Sequence, residues 1–355
     1  MDFDQRSFGM TTSPIRVGII GLDHWYWAFS FAQATVSSSR AEIVAIADSD
    51  FGRAQEAAKR FGVERVTADP RELIEDQDID VIASFVSIDQ NPSICIAAAE
   101  RGKHLFSVKP MARTLDEATR ILDAVRRAGV IFLPAESTSR DAAQPQQIKR
   151  WIAEGKLGRI ITATYSQHAG LPQRWPGESD SGWFIDPERA PGGGWIDHAI
   201  YHIDMLRWLL DDAVQSVSGR TEQLKYPELG MEDYGTATIQ FKSGVIATIE
   251  VTWVAPPQGG RTSWTIIGTE GAVAFDSMAG RFSVVGDFPP FNGWVQTNPR
   301  GTFSEGLDAL VSAIQGETTP IATAEDAWHN LAVCLAFYDA ASAGAARSPA
   351  ALPSA

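Results

Sequence analysis

Between Ile15 and Leu133 short apolar runs alternate with segments of helical periodicity, and this alternation limits what the chain can fold into more than any other feature. The runs are Ile15 to Ile20 (IRVGII), Glu42 to Ala47 (EIVAIA), Val81 to Val86 (VIASFV), His104 to Val108 (HLFSV) and Val130 to Leu133 (VIFL). Each is strand-length and continuously apolar rather than alternating, the pattern of strands covered on both faces of a parallel sheet. Helical segments lie between them at Gly52 to Phe61, Ser93 to Arg101 and Leu115 to Ala128. A β-α-β order of this kind predicts a doubly wound sheet.

The 355 residues exceed what one hydrophobic core supports, so a second domain is expected. Its pattern differs. After Pro134 a helix near Gln146 to Glu154 precedes longer stretches with strand-like alternation at Arg159 to His168, Val214 to Glu222, Tyr234 to Phe241, Val245 to Trp253 and Thr262 to Ile267. The turns at 242–244 and 268–271 join strand-like segments closely enough for antiparallel pairing, so this half reads as α+β with a large, mostly antiparallel sheet. A last helix is expected over Ala324 to Ala343. The boundaries expected are a disordered tail over 1–12, one domain over 13–134, a second over 135–344 and a disordered tail over 345–355.

A formal net charge of -14 disfavours nucleic acid and anionic lipid as partners and leaves a small molecule as the better expectation. Cys95 and Cys334 form no CxxC pair, so neither a zinc knuckle nor a disulfide framework is read. No apolar run reaches membrane-spanning length and the start lacks a signal-peptide pattern, which places the chain in the cytoplasm as an expectation.

The first strand ends at Gly21 and runs into a helix starting near His24, where a glycine turn and free backbone N–H groups can receive a pyrophosphate. Of the G-x-G-x-x-G template, GLDHWY supplies Gly21 but Asp23 and Tyr26 at the other two positions. Asp23 is also a good N-cap, so a capped helix without nucleotide fits this segment equally well. Asp48, at the end of the second strand, decides for a dinucleotide: its carboxylate can accept from an adenosine ribose and would repel a 2'-phosphate, favouring NAD over NADP. Arg53 keeps NADP open. Gly21, Asp23, His24, Trp25 and Asp48 are the candidate cofactor contacts read from this region.

Together, IRVGIIG, IVAIAD, GKHLFSVKPMA, EGKLGRI, GGGWIDHAIYHIDMLRWLL and GTEGAV, in this order, resemble the Gfo/Idh/MocA oxidoreductase family over roughly Ile15 to Ala343. The resemblance implies an N-terminal Rossmann domain binding NAD or NADP, a C-terminal substrate domain, and a homodimer or homotetramer formed through the C-terminal sheet. It assigns Lys109 and Pro110 to the Lys-Pro pair that points an ammonium at the nicotinamide and substrate hydroxyl. The acid that usually precedes this lysine is Val108 here, and the proline and histidine common after the fourth strand are Ser87 and Asn91, which take their places as cofactor contacts.

Gly192 to Gly194 lead into a helix whose apolar arc is Ile196, Ala199, Ile200, Ile203, Leu206 and Leu210. On its flank Asp197, Tyr201 and Asp204 stack along one line, and the family pattern of aspartate, then histidine or tyrosine, then a polar residue fits them. Tyr201 is therefore the expected proton-transfer group, with Lys109 lowering its pKa and stabilising alkoxide charge while Asp197 orients the pair. His202 competes, because an imidazole pKa of about 6.5 suits neutral pH better than a phenol near 10. A one-residue shift, however, turns it about 100 degrees away from Asp197. His198 and His202 at i, i+4 could share a metal, but no third ligand is evident and none is expected.

Between the second domain's first strand and the triple glycine runs a long loop, LPQRWPGESDSGWFIDPERAP, with Arg174, Trp175, Trp183 and Arg189. Long loops often cover sites. Arg174, Trp175, Trp183, Asp197, His198 and Tyr201 are the substrate candidates, with a sugar, polyol or derivative as the class that the resemblance implies. The expected reaction is hydride transfer between a secondary hydroxyl or ketone and the nicotinamide. Two alternatives stay open: an NAD-dependent enzyme that cleaves or epimerises glycosides through transient oxidation, and a non-catalytic nucleotide-binding regulator.

Overall fold

The computed structural model describes residues 13–289, 291–297 and 305–353. The expected tail at 1–12 lies outside them. In the first domain six strands carry five helices: β1 (Ile15–Ile20), α1 (Trp25–Ser37), β2 (Ala41–Ala47), α2 (Phe51–Phe61), β3 (Val66–Thr67), α3 (Arg71–Ile74), β4 (Val81–Ser84), α4 (Asn91–Glu100), β5 (His104–Ser107), α5 (Leu115–Ala128) and β6 (Phe132–Pro134). All are parallel neighbours in the order β3-β2-β1-β4-β5-β6. The chain reverses direction across the sheet between β1 and β4, so the crevice that receives a ligand in such sheets opens at their carboxyl ends. The runs read as continuously apolar are the covered strands: Val17, Ile19, Val81, Ala83 and Phe106 are buried on one side and Ile20, Ile82 and Leu105 on the other.

The second half contributes α6 (Ala143–Ala153), β7 (Ile160–His168), α7 (Gly194–Leu210), β8 (Val214–Glu222), β9 (Tyr234–Phe241), β10 (Ile246–Thr252), β11 (Arg261–Gly268), β12 (Ala272–Asp276), β13 (Arg281–Val285), β14 (Asp287–Phe288), β15 (Phe291–Asn292), β16 (Val295–Thr297), α8 (Leu307–Ile314) and α9 (Ala324–Ala343). Eight of these strands form one sheet in the order β16-β13-β12-β11-β7-β10-β9-β8, antiparallel except where β7 and β10 run parallel. Helices α7 and α9 lie on its inner face, toward which Ala163, Ala247, Ile249, Val251 and Ile266 point. On the outer face Ile246 and Ile267 both pair with Thr162 and stay exposed.

The C-terminal segment departs from expectation. Residues 345–353 are placed, and Arg347 exchanges two backbone hydrogen bonds of 2.8 Å with Val217 on β8. Strand β8 is the edge of the large sheet, so its free N–H and C=O groups accept one more partner, and Leu352 packs against the core beyond it. Among the described residues no helix is long and apolar enough to cross a membrane.

Candidate active site

The start of α7 is held in place by backbone that only glycine allows. A Cβ on Gly193 would run into the Glu232 carbonyl oxygen, and one on Gly194 would meet the Asp233 carbonyl oxygen at 3.0 Å. The Glu232 carboxylate accepts from the Gly193 N–H at 2.9 Å, the Trp195 N–H at 3.3 Å and the Tyr338 hydroxyl at 2.6 Å, satisfying donors that a helix start leaves open. This arrangement fixes where Asp197, in the first turn, points.

Asp197 meets Lys109 across the domain boundary. The Lys109 ammonium donates to Asp197 Oδ1 at 2.6 Å and to the Asp197 carbonyl, with both side chains almost fully buried. Trp253 Nε1 donates to Asp197 Oδ2 at 2.9 Å, and His198 Nδ1 lies 3.2 Å from the same oxygen without a hydrogen-bonding angle. Burial alone would push the Asp197 carboxyl up, but Lys109, then His198, hold it well below the usual carboxylate range. Val108, which stands where the family usually has an acid, is buried and brings no carboxylate to Lys109, whose carboxylate partner is Asp197.

Tyr201, one turn further on, accepts from Trp27 Nε1 at 2.8 Å, and its ring centroid lies 5.2 Å from Lys109 Nζ. Burial raises its pKa well above 10, with Asp197 and Glu136 adding to the rise and the Trp27 hydrogen bond opposing it. The expectation that Lys109 lowers this pKa fails, because the ammonium is committed to Asp197. Asp204 is not at the site: it is fully buried and bonded to Arg140, Ser137 and Asn330.

A cavity of about 550 Å³ opens between α1, α6, α7 and the inner face of β7, β11 and β12. Tyr201, His198 and His202 line it together with Trp27, Glu136, Gln144, Gln167 and Trp264. His202 is buried, its ring lies 4.8 Å from Tyr165, and its Nε2 has no partner. Burial, and then His198, lower its pKa to about 3, so it is neutral and a poor base. Among the described residues no cluster of three His, Cys, Asp or Glu could hold a metal.

Arg174, Trp175 and Trp183 do not reach this cavity, because their loop folds onto the nucleotide domain. Trp175 packs on Phe29 and under Arg53, Arg174 pairs with Asp180, and Trp183 stacks on Phe184 against the buried His24. Arg174 and Trp183 help line a polar cleft of about 380 Å³ with Asp23, Ser49, Asp50 and Arg53.

That cleft lies at the carboxyl ends of the parallel strands. Gly21 has φ +80, and a Cβ there would meet the Val86 backbone nitrogen at 2.7 Å, so the turn requires glycine. Asp23 does not cap α1. Its oxygens accept from Arg53 at 3.1 Å and the Ser87 N–H at 3.0 Å, while the capping position is His24, whose Nδ1 contacts the Val86 carbonyl. Asp48 accepts from Arg53 at 2.9 Å and from the Asp50 N–H at 2.7 Å. Arg53 Nε and Nη1 are buried and unpartnered, which suits an anionic group in this cleft. Trp25 donates to the Gln173 carbonyl, and Ser87 accepts from Arg189 at the rim. Asn91 is not a cleft residue, since its side chain is fully buried among Ser84, Ser107 and the Met111 carbonyl. Lys109 and Pro110 face a space of only about 20 Å³ closed by Trp183 and Phe184. The polar lining of the cleft and the unpartnered Arg53 nitrogens suit the anionic, hydroxyl-bearing part of a dinucleotide.

Residues 15–136 match the oxidoreductase family with an NAD-binding Rossmann fold, and residues 146–274 match the GFO/IDH/MocA C-terminal domain. The chain belongs to the Gfo/Idh/MocA family. Among curated Gfo/Idh/MocA relatives, 1,5-anhydro-D-fructose reductase of Ensifer adhaerens is 28% identical over 88% of this chain and 92% of its own length. The scyllo-inositol 2-dehydrogenase (NAD(+)) of Bacillus subtilis is 28% identical over 91% of this chain and 92% of its own. A solved levoglucosan dehydrogenase in complex with NADH is 25% identical, with TM-score 0.81 over 96% of this chain and all of that one. The N-terminal half is accordingly an NAD-binding Rossmann domain, and the chain is an oxidoreductase of a family whose relatives act on sugar and polyol hydroxyls.

Several residues of the cavity carry no sequence signal as a set. Glu136 and Gln144 come from adjacent elements, but Gln167 and Trp264 are more than 20 and 100 residues further on, and Glu136 sits in a 3-10 turn (Ala135–Asp141) that no periodicity announces.

Proposed function

We propose that this Gfo/Idh/MocA member oxidises a secondary hydroxyl of a neutral sugar or polyol, or reduces the corresponding ketone, with NAD as hydride partner. The observation that carries this reading is the meeting, at one domain boundary, of the buried Lys109–Asp197 pair with Tyr201 on the wall of the 550 Å³ cavity. The Gly21 turn, Asp48 and Arg53 would hold NAD, which when bound would supply the acceptor or donor of the hydride. Everything else is done by the protein's own groups. Lys109 and Asp197 hold a fixed ion pair behind the Tyr201 ring, with the ammonium 5.2 Å from its centroid, and so set the electrostatics of the phenol from outside the cavity. Tyr201 moves the proton at its hydroxyl. Held protonated by burial, it is a donor to a carbonyl oxygen at neutral pH and becomes a base only at alkaline pH.

The test is Tyr201→Phe, assayed with 1,5-anhydro-D-fructose, myo-inositol and levoglucosan. Turnover is expected to fall at least about a hundredfold, the scale of one general acid-base group, while NADH binding by calorimetry is unchanged. Retained turnover in Tyr201→Phe with loss in His198→Gln would move the proton-transfer role to His198, which also lines the cavity. Product analysis separates the reading from glycoside cleavage or epimerisation: one NADH should form per alcohol consumed. Tight NADH binding without turnover on any sugar would favour a regulator.

A further inference from the structure

We propose that Glu136 and His202 form the specificity end of the cavity, where they take hydroxyl groups of a neutral sugar or polyol whose reacting carbon lies at Tyr201. The inference rests on the oxidoreductase reading of the same cavity and adds what selects the substrate.

Glu136 is 1% exposed, and neither of its carboxyl oxygens has a hydrogen bond. The donors that would serve it are committed elsewhere. Arg140, on the same turn, gives its Nε and Nη2 to Asp204 at 2.9 and 2.5 Å and its Nη1 to the Ile321 carbonyl at 3.1 Å. Ser137 also donates to Asp204, at 2.7 Å. Asn330 comes near enough to favour the ionised form slightly, but its Nδ2 is bonded to Asp204 at 2.8 Å and its Oδ1 receives Arg207 at 2.7 Å. Asp204 has thus drawn in the local side-chain donors, and its neighbour Glu136 keeps only poorly aligned approaches from its own backbone N–H and Asn330, with no hydrogen bond of normal geometry.

The groups facing Glu136 are Asp204 and Tyr201 on α7, Asn330 and Cys334 on α9, and Arg140 on its own turn. Burial, and then Asp204, push its pKa up to about 8, so at neutral pH it is a carboxylic acid with one donor and free acceptors. His202 complements it, as a neutral imidazole whose Nε2 is buried and unpartnered on the same cavity. Buried polar groups are ordinarily matched, so two residues with unmatched polar atoms on the wall of one cavity mark a place a ligand completes.

The rest of the wall defines the ligand class. Ile148, Leu209, Trp264 and Phe275 offer apolar faces for ring C–H groups, and among the described residues that line the cavity there is no lysine or arginine. A sugar acid or sugar phosphate would bring a charge to a site without a counter-charge. A neutral polyol exchanges hydroxyl hydrogen bonds with an acid and an imidazole.

The experiment compares wild type, Glu136→Leu and Glu136→Gln on myo-inositol, levoglucosan and a methyl D-glucoside, with D-gluconate and D-glucose 6-phosphate as charged probes. For the neutral substrate turned over best, Glu136→Leu is expected to raise KM about tenfold with a smaller change in kcat. Glu136→Gln, which keeps a donor and an acceptor in place, should recover most of that loss. Wild-type KM should rise above pH 8 while that of Glu136→Gln stays level, a profile that also serves if Glu136→Leu does not fold. An unchanged KM in Glu136→Leu, identical pH profiles, or preference for a charged probe overturns the inference. If no probe is turned over, the oxidoreductase reading fails separately, and calorimetric titration of the same probes decides the subsite. Binding lost in Glu136→Leu supports it, and binding that is absent or unaltered overturns it.

Discussion

At Lys109 a single ammonium is bonded twice to one residue of the other domain. Replacing it by methionine leaves the Asp197 carboxylate buried with only Trp253 to satisfy it, which should cost about 3–5 kcal/mol of stability in urea denaturation at pH 7. The pH dependence has a definite sign. In the wild type the Asp197 carboxyl lies below its unfolded value near 4, so the pair's contribution is present above that pH and lost as pH falls below it. In Lys109→Met burial drives the same carboxyl upward, so the deficit relative to wild type should shrink on acidification. An equal deficit at pH 7 and pH 4 would contradict the pairing. Tyr201 illustrates the same residue-level lesson from the other side: its neighbours were foreseeable from helical spacing, but its raised pKa follows from burial that no spacing reveals.

Among the elements, α7 carries the site, and its N-terminus is held by Glu232 rather than by a residue of its own sequence neighbourhood. Glu232→Ala leaves the Gly193 and Trp195 N–H groups and the Tyr338 hydroxyl without their acceptor. A loss of about 2 kcal/mol in stability is expected, together with a lower kcat, since Asp197 sits in the turn that loosens. Equal kcat in Glu232→Ala would show that Asp197 is positioned by Lys109 and Trp253 alone. The 182–185 turn makes the complementary point. Trp183 is a substrate candidate by its place in a long loop, yet it and Phe184 pack on His24 and line the small space before Lys109. Aromatic side chains in a long loop seek whichever apolar surface lies nearest, and here the nucleotide domain offers it.

The whole molecule buries titratable groups of opposite tendency. Burial lowers His24 and His202 to about 3, so each adds stability above its unfolded pKa of 6.5 that is lost progressively as pH falls toward 3. Glu136, raised to about 8, does the reverse: its contribution is full below 4.5 and fades as pH rises to 8. His202→Phe should therefore flatten the acid side of the stability profile and Glu136→Gln the side between 4.5 and 8, each by up to about 1.4 kcal/mol per pH unit. Parallel profiles for wild type and variant in urea titrations would refute either assignment. The exposed Ile246 and Ile267 on the outer sheet face are proposed as the contact of a homodimer or homotetramer. Light scattering should give an oligomer for the wild type and a monomer for the double change of both to glutamate; a monomeric wild type or an unaltered mass would refute this contact.

By itself the sequence determined the parts that depend on periodicity and local chemistry. The apolar runs of β1, β2, β4 and β5, the alternation of β7 to β11, and the length of α9 could be read because strand and helix burial repeat along the chain. Helical phase likewise put Asp197 and Tyr201 on one line. The tertiary structure alone decided which partner each polar group found. Asp23 meets Arg53 instead of capping α1, Asp204 draws in Arg140 and Asn330, and Glu136 is left without a donor beside them. These outcomes depend on distances between elements up to 126 residues apart, and a hydrogen bond is satisfied or orphaned by those distances, not by spacing along the chain.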